Sequence, residues 1–222
     1  MENSVTAIVI RADERKDNDL ILRLFSAEGV ISAVMRGVRK ASSKLKFAAQ
    51  PLAFCVYELS GKGDMPVVTG ATQIEDFSSI AEDVACYSAC GVMLEAAAFS
   101  ADAVDCPDSF VALLKCVKAI SFGGADAAIV AIKYLQKLLY SSGFFRYEKG
   151  ALPEGETVLS SADELLKATA ASRLDELIGI KAERDVIYSA LATVVDRFER
   201  FFYCEIASAR FFTGKKKIKR DY

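Results

Sequence analysis

The chain changes its periodicity once, near Phe77, and that change limits what it can fold into. Before Phe77, short β-branched and apolar runs recur at Val5–Ile10, Leu20–Phe25, Val30–Met35, Phe54–Leu59 and Val67–Ile74. Turn formers separate them, notably Glu28-Gly29 and Ser60-Gly-Lys-Gly-Asp64. Runs of this length between such turns are strand and hairpin signals. Five strands within about 76 residues predict a small barrel, for which a five-stranded Greek-key barrel of the OB type and an SH3-like barrel are both solutions.

After Phe77 the sequence becomes alanine-rich and poor in breakers, which predicts helices. Ser79 with Glu82 matches a capping box ahead of a helix running from Ile80 towards Phe99. Further helices are predicted over Asp108–Ile120 and Ala125–Tyr140, divided by Gly123-Gly124, and after Ser161 and Glu164, a second capping box. Residues 143–160 read as a loop. A short helix at Leu174–Ile178 and a long one from Glu183 to Ala207 follow, the latter with Ile187, Leu191, Val194, Val195, Phe198, Phe202 and Ile206 on one face. The fold class is therefore α+β, with a barrel domain over 1–78, an all-α domain over 79–214 and a basic tail over 215–222.

The net charge of −2 conceals strong segregation. Residues 65–114 carry eight acidic side chains and no basic one, whereas no acid occurs between Glu28 and Glu58. In that acid-free stretch, Arg36, Arg39, Lys40, Lys44 and Lys46 fall within eleven residues. Five such charges cannot be buried cheaply, so the segment faces water or an anionic partner, of which nucleic acid is the general case. Lys215, Lys216 and Lys217 open a second cationic run in the tail, which also reads as a solubilising end. Arg23 joins the candidate contact set by charge and position. Phe25, Phe47 and Tyr57 are candidates for base stacking, with the barrel core the favoured reading of each.

Other chemistry is sparse. The chain has no histidine, which removes the commonest general base and every Ser-His or Cys-His pair. No phosphate-binding P-loop motif occurs, and Gly61-Lys-Gly63 links two strands without a following helix. Asp13, Glu14, Asp17 and Asp19 alternate with Arg11, Arg15 and Lys16 and read as a solvated mixed-charge loop rather than a metal site. The six cysteines have no zinc spacing and read as reduced core thiols; neither an export signal nor a membrane span is evident, which predicts a cytoplasmic protein.

Several of these stretches together resemble one family. Asp19-Leu-Ile-Leu-Arg-Leu-Phe-Ser26 followed by Glu28-Gly29, the run Met35-Arg-Gly-Val-Arg-Lys-Ala-Ser-Ser-Lys44, Gln50-Pro51 and Glu58-Leu-Ser-Gly-Lys-Gly-Asp64 are similar, in this order, to the RecO family of bacterial DNA repair and recombination mediators. The resemblance covers residues 1–80 best and continues beyond mainly as an order of helices. It implies an OB-fold followed by a helical domain, binding of single- and double-stranded DNA, annealing of complementary strands, and help in loading recombinase onto DNA coated with single-strand-binding protein, without catalysis. It implies DNA contact for Arg36, Arg39, Lys40 and Lys44; Lys46, Arg23 and Lys215–Lys217 are added from charge and position alone. The implied partners are RecR and the C-terminal tail of the single-strand-binding protein, and the implied location is the bacterial cytoplasm, on the nucleoid when acting.

One departure is expected to matter. Many members carry a four-cysteine zinc module after a helix ending like Leu138-Leu-Tyr-Ser-Ser-Gly-Phe144, yet residues 145–161 here contain no cysteine, so no zinc or other cofactor is expected. A rival reading stays open: an interaction scaffold whose basic loop recognises an acidic peptide or protein.

Overall fold

The computed structural model of the chain describes residues 3–61, 63, 65–143 and 158–214. Five strands, β1 (Asn3–Glu14), β2 (Leu20–Ser26), β3 (Gly29–Met35), β4 (Phe54–Ser60) and β5 (Val67–Glu75), close into a barrel in the order β1-β2-β3-β5-β4. All pairings are antiparallel except β3 with β5, which touch in parallel only at Val34–Val67 and Met35–Val68. The OB-type solution is thus the one adopted.

β1 closes the barrel because it is long enough to serve two neighbours. Its first half pairs with β4, from Asn3 opposite Leu59 to Ile8 opposite Phe54, and its second half pairs with β2 as far as Glu14 opposite Leu20. A bulge between Val9 and Arg11 marks the exchange, and there the Val9 backbone bonds to Leu52 and Ala53 instead of continuing the ladder. The strand therefore runs four residues past Ile10, where a loop was expected. Arg11 and Asp13 flank Ala12, which packs against the barrel core, and a strand with one wet face tolerates charge on it, while Glu14 ends the strand exposed.

Alternation then separates two faces. Ala7, Val9, Leu22, Leu24, Ala33, Met35, Cys55, Tyr57, Leu59 and Val68 fill the barrel. Phe25 and Phe54 point the other way and meet Phe110, with ring centroids 5.7 and 6.3 Å apart in edge-on geometry. The β2–β3 turn is the expected one: Gly29 takes φ +119°, and the buried Ser26 hydroxyl donates to the Gly29 carbonyl while accepting from the Glu28 N–H.

Among the described residues six helices follow: α1 (Val84–Ser100), α2 (Cys106–Phe122), α3 (Ala127–Ser141), α4 (Ala162–Ala171), α5 (Arg184–Phe202) and α6 (Arg210–Thr213). The first starts later than its expected cap. Ser78–Glu82 forms a 3-10 turn, and Asp83 caps α1 by accepting the Cys86 N–H at 2.8 Å. The Ser161–Glu164 capping box forms as expected, and Asp126 caps α3. A short parallel pair, Val158–Leu159 with Lys181–Ala182, occupies part of the expected 143–160 loop. The long helix stops at Tyr203, which adopts φ +51°, so Ile206 is buried beyond the helix rather than on it.

The contacts define two compact units. The first holds the described residues up to Glu82 together with Ala97–Lys115; the second holds Asp83–Ala96 and the described residues from Cys116 onward. In the second, α5 packs on α3, α4 and α6. Ile129, Ile132, Leu135 and Leu139 of α3 and Leu191, Val194 and Phe198 of α5 are all without solvent exposure.

Candidate nucleic-acid interface

The basic segment leaves β3 at Met35 and returns to β4 at Phe54, and its sequence alternates groups the barrel can bury with groups it cannot. Val38 is 2% exposed, Ala48 and Ala49 are buried, and all three belong to the barrel core cluster, with Leu45 packed against it. Arg36, Arg39, Lys40, Lys44 and Lys46 are all exposed. Burying the apolar residues fixes the path of the chain, and that path turns the five cations outward.

Hydrogen bonds complete the anchoring. Gly37 takes φ +63°, a conformation that favours glycine, and its N–H donates to Asp19 Oδ1 at 2.7 Å. The Arg39 N–H donates to the Asn18 carbonyl, and Lys40 and Ser43 close successive turns by donating to the carbonyls of Gly37 and Lys40. A 3-10 turn over Lys46–Ala49 then leads back to the barrel, where the buried Tyr57 hydroxyl donates to the Ala48 carbonyl at 2.9 Å. Burial pushes that phenol far above its ordinary ionisation range, so it remains a donor at any physiological pH.

The cations are not equally available. Arg39 Nη1 lies 3.1 Å from Glu14 Oε2, an exposed ion pair, and Lys46 Nζ donates to the Ala41 carbonyl at 3.3 Å. Arg36, Lys40 and Lys44 make no ion pair within the described residues. Arg23 stands apart from the segment: β2 places it half-buried and directly opposite Arg11 on β1 and Ser32 on β3. Arg11 is held by Asp13 at 2.7 Å, so the two facing guanidinium groups bring a local excess of positive charge that the sequence does not announce.

Of the three aromatic candidates, only Phe47 is accessible, at 41% exposure, and it sits directly after Lys46. Phe25 and Tyr57 are wholly buried and belong to the core. Lys215, Lys216 and Lys217 lie outside the described residues, as does most of the stretch where the zinc module would fall. Among the described residues no cluster of three or more histidine, cysteine, aspartate or glutamate side chains could hold a metal ion, and no helix is long and apolar enough to cross a membrane.

Asp19 and Glu14 are the residues that sequence reasoning missed. Both lie in the stretch read as a solvated mixed-charge loop, and each acts on a partner about twenty residues away. Spacing carries no signal for such contacts. The adjacency of Asp19 to the strand start and of Gly37 to the strand end, once β2 and β3 are paired with Leu20 opposite Met35, is what brings them together.

The five outward cations of segment 36–46 give this part of the described surface a local excess of positive charge. Residues 1–77 match the family described as recombination protein O, N terminal. A DNA repair protein RecO from Heliobacterium modesticaldum is 33% identical over 90 residues, which is 40% of this chain and 33% of that protein. A DNA repair protein RecO from Desulfitobacterium hafniense is 29% identical over 164 residues, which is 71% of this chain and 59% of that protein. The chain thus spans about a third to three-fifths of the length of these curated relatives.

Proposed function

We propose, from the premise that this chain belongs to the RecO family through its N-terminal barrel, that it is a DNA-binding mediator of recombination in DNA repair. It anneals complementary strands and helps load recombinase onto DNA coated with single-strand-binding protein, without itself catalysing a covalent step. RecR and the C-terminal tail of the single-strand-binding protein are its protein partners, both single-stranded and duplex DNA are its ligands, and it works in the cytoplasm on the nucleoid.

The observation that carries this reading is the acid-free segment 36–46, whose five exposed cations are held outward by buried Val38, Ala48 and Ala49. Cations presented in this way neutralise phosphates and release counterions, and they do so without regard to sequence. Neutralising two strands together lowers their mutual repulsion, so complementary bases can search for pairing. Arg36, Arg39, Lys40 and Lys44 make the primary contacts. Lys46, Arg23 and Lys215–Lys217 extend them, and Phe47 offers a stacking face beside Lys46.

A second reading has one observation in its favour: Arg39 already holds a carboxylate, that of Glu14. An acidic peptide could take its place, which would make the segment a protein-docking site. Replacing Arg36, Arg39, Lys40 and Lys44 together by Glu separates the two. The annealing reading requires loss of oligonucleotide binding and of the annealing rate; full retention of both refutes it, whereas an unaltered chain that binds no oligonucleotide but captures an acidic peptide, with that capture lost in the variant, establishes the scaffold instead.

A further inference from the structure

The end of β1 and the turn that leads into β2 carry two carboxylates that reach the basic segment, Glu14 and Asp19, and they engage it in different ways. The turn itself is well defined: the Arg15 N–H donates to the Asp19 carbonyl at 3.0 Å, and Asp17 takes φ +62° between them. From this base Asp19 grips main chain. Its Oδ1 accepts the Gly37 N–H at 2.7 Å, beside the Asn18 carbonyl that accepts the Arg39 N–H at 3.0 Å. No basic side chain is consumed by either bond. Glu14 grips a side chain instead, with Oε2 at 3.1 Å from Arg39 Nη1, both groups being exposed.

We propose that this turn regulates phosphate contact at the basic segment, Asp19 as a positioning residue that fixes the segment's shape and Glu14 as an internal competitor that occupies Arg39 until a phosphate displaces it. The inference rests on the DNA-binding reading above. Asp19 supplies an acceptor to the N–H of Gly37, a half-buried residue in a left-handed turn, and its removal takes that bond away. Glu14 forms the kind of surface pair that is weak and readily screened, so an array of phosphates, offering bidentate acceptors to the guanidinium, can replace it.

The two roles are separable because a uniform-field argument treats both acids alike. Neutralising either one makes the protein less negative by one charge, which should tighten binding of any polyanion equally. The contacts require opposite signs. Glu14→Gln frees Arg39 and tightens binding; Asp19→Ala releases Gly37 and weakens it.

The test uses the full chain, a labelled oligothymidine and fluorescence anisotropy over a range of salt, with Glu14→Gln, Asp19→Ala and Asp19→Asn. Asp19→Asn keeps an acceptor oxygen while losing the charge, and it guards against simple unfolding of the alanine variant. Glu14→Gln is expected to bind about threefold more tightly near 50 mM salt and to lose that advantage near 200 mM, since one added phosphate contact on a single strand steepens the log–log slope by about 0.7. Asp19→Ala is expected to bind at least about threefold more weakly with a shallower slope, and Asp19→Asn to restore the unaltered chain's slope. Equal tightening by Glu14→Gln and Asp19→Ala overturns the proposal in favour of the general field. An unchanged slope in Glu14→Gln, beside a salt-dependent unaltered chain, overturns the competitor role alone. An unaltered chain with no oligonucleotide affinity overturns the DNA-binding reading itself, and this inference with it.

Discussion

Phe110 covers Phe25 and Phe54 on the outer face of the barrel, so its removal should be costly. The ring is 7% exposed and meets Phe25 at 5.7 Å with an interplanar angle of 85°, and Phe54 at 6.3 Å and 63°. Truncating a buried phenylalanine to alanine costs about 3–5 kcal/mol, through lost transfer energy and the cavity that remains. Of this, the two edge-on ring pairs account for about 1–3 kcal/mol. Phe110→Leu fills most of the space but offers no ring edge, so it should lose only that smaller part. The chain has no tryptophan, so unfolding is best followed by far-ultraviolet circular dichroism in urea. For a chain of this size about 4 kcal/mol corresponds to a fall in Tm of about 8–16 °C. The anchors of the basic segment, Asp19, Val38 and Ala48, are separate from Phe110, so DNA affinity measured below the transition should not change. A loss under about 1 kcal/mol in Phe110→Ala would refute the claim that this ring covers the barrel, and equal losses in the alanine and leucine variants would refute the assignment of the difference to ring edges.

Two further outcomes are expected. Burial pushes the Cys90 and Cys116 thiols up to about 12 from an ordinary 9.0, so in the folded chain they keep protons that the unfolded chain has lost, and stability falls as pH rises from 9 towards 12. Urea titrations across that window should show this decline, and it should lessen in Cys90→Ala with Cys116→Ala; an identical decline in the double variant would contradict it. Deleting residues 215–222 removes five cations, Lys215, Lys216, Lys217, Lys219 and Arg220, and should make the salt slope on single strands shallower by about 2 if the first three contact phosphates and by about 3.5 if all five do, at about 0.7 per phosphate, whereas an unchanged slope would show that the tail only aids solubility.

Much of the barrel was legible because its strands are short, β-branched and bounded by turn residues, as in Leu20–Ser26 and Gly29–Met35. The extension of β1 to Glu14 was not, since Arg11 and Asp13 lie on a wet strand face and Glu14 at the exposed strand end, where composition resembles a loop. The closure of β3 on β5 rests on two residue pairs formed across more than thirty residues, and no local pattern encodes it. The helices were legible by period and caps at Ser161–Glu164. They were misplaced where a competing local cap or an unusual backbone overrode the pattern: Asp83 instead of Ser79 at the start of α1, and left-handed Tyr203 at the end of α5. At the candidate interface, charge alone located the five cations of 36–46. It could not reveal which of them is already paired, because Glu14 and Asp19 reach the segment only once β2 and β3 lie side by side.

The central claim, that segment 36–46 contacts phosphates, is tested most directly by the slope of log affinity against log salt for the full chain and for the variant with Arg36, Arg39, Lys40 and Lys44 all changed to alanine. On single-stranded DNA, removal of four contacts should flatten the slope by about 2.8. The same slope in both proteins would contradict the assignment.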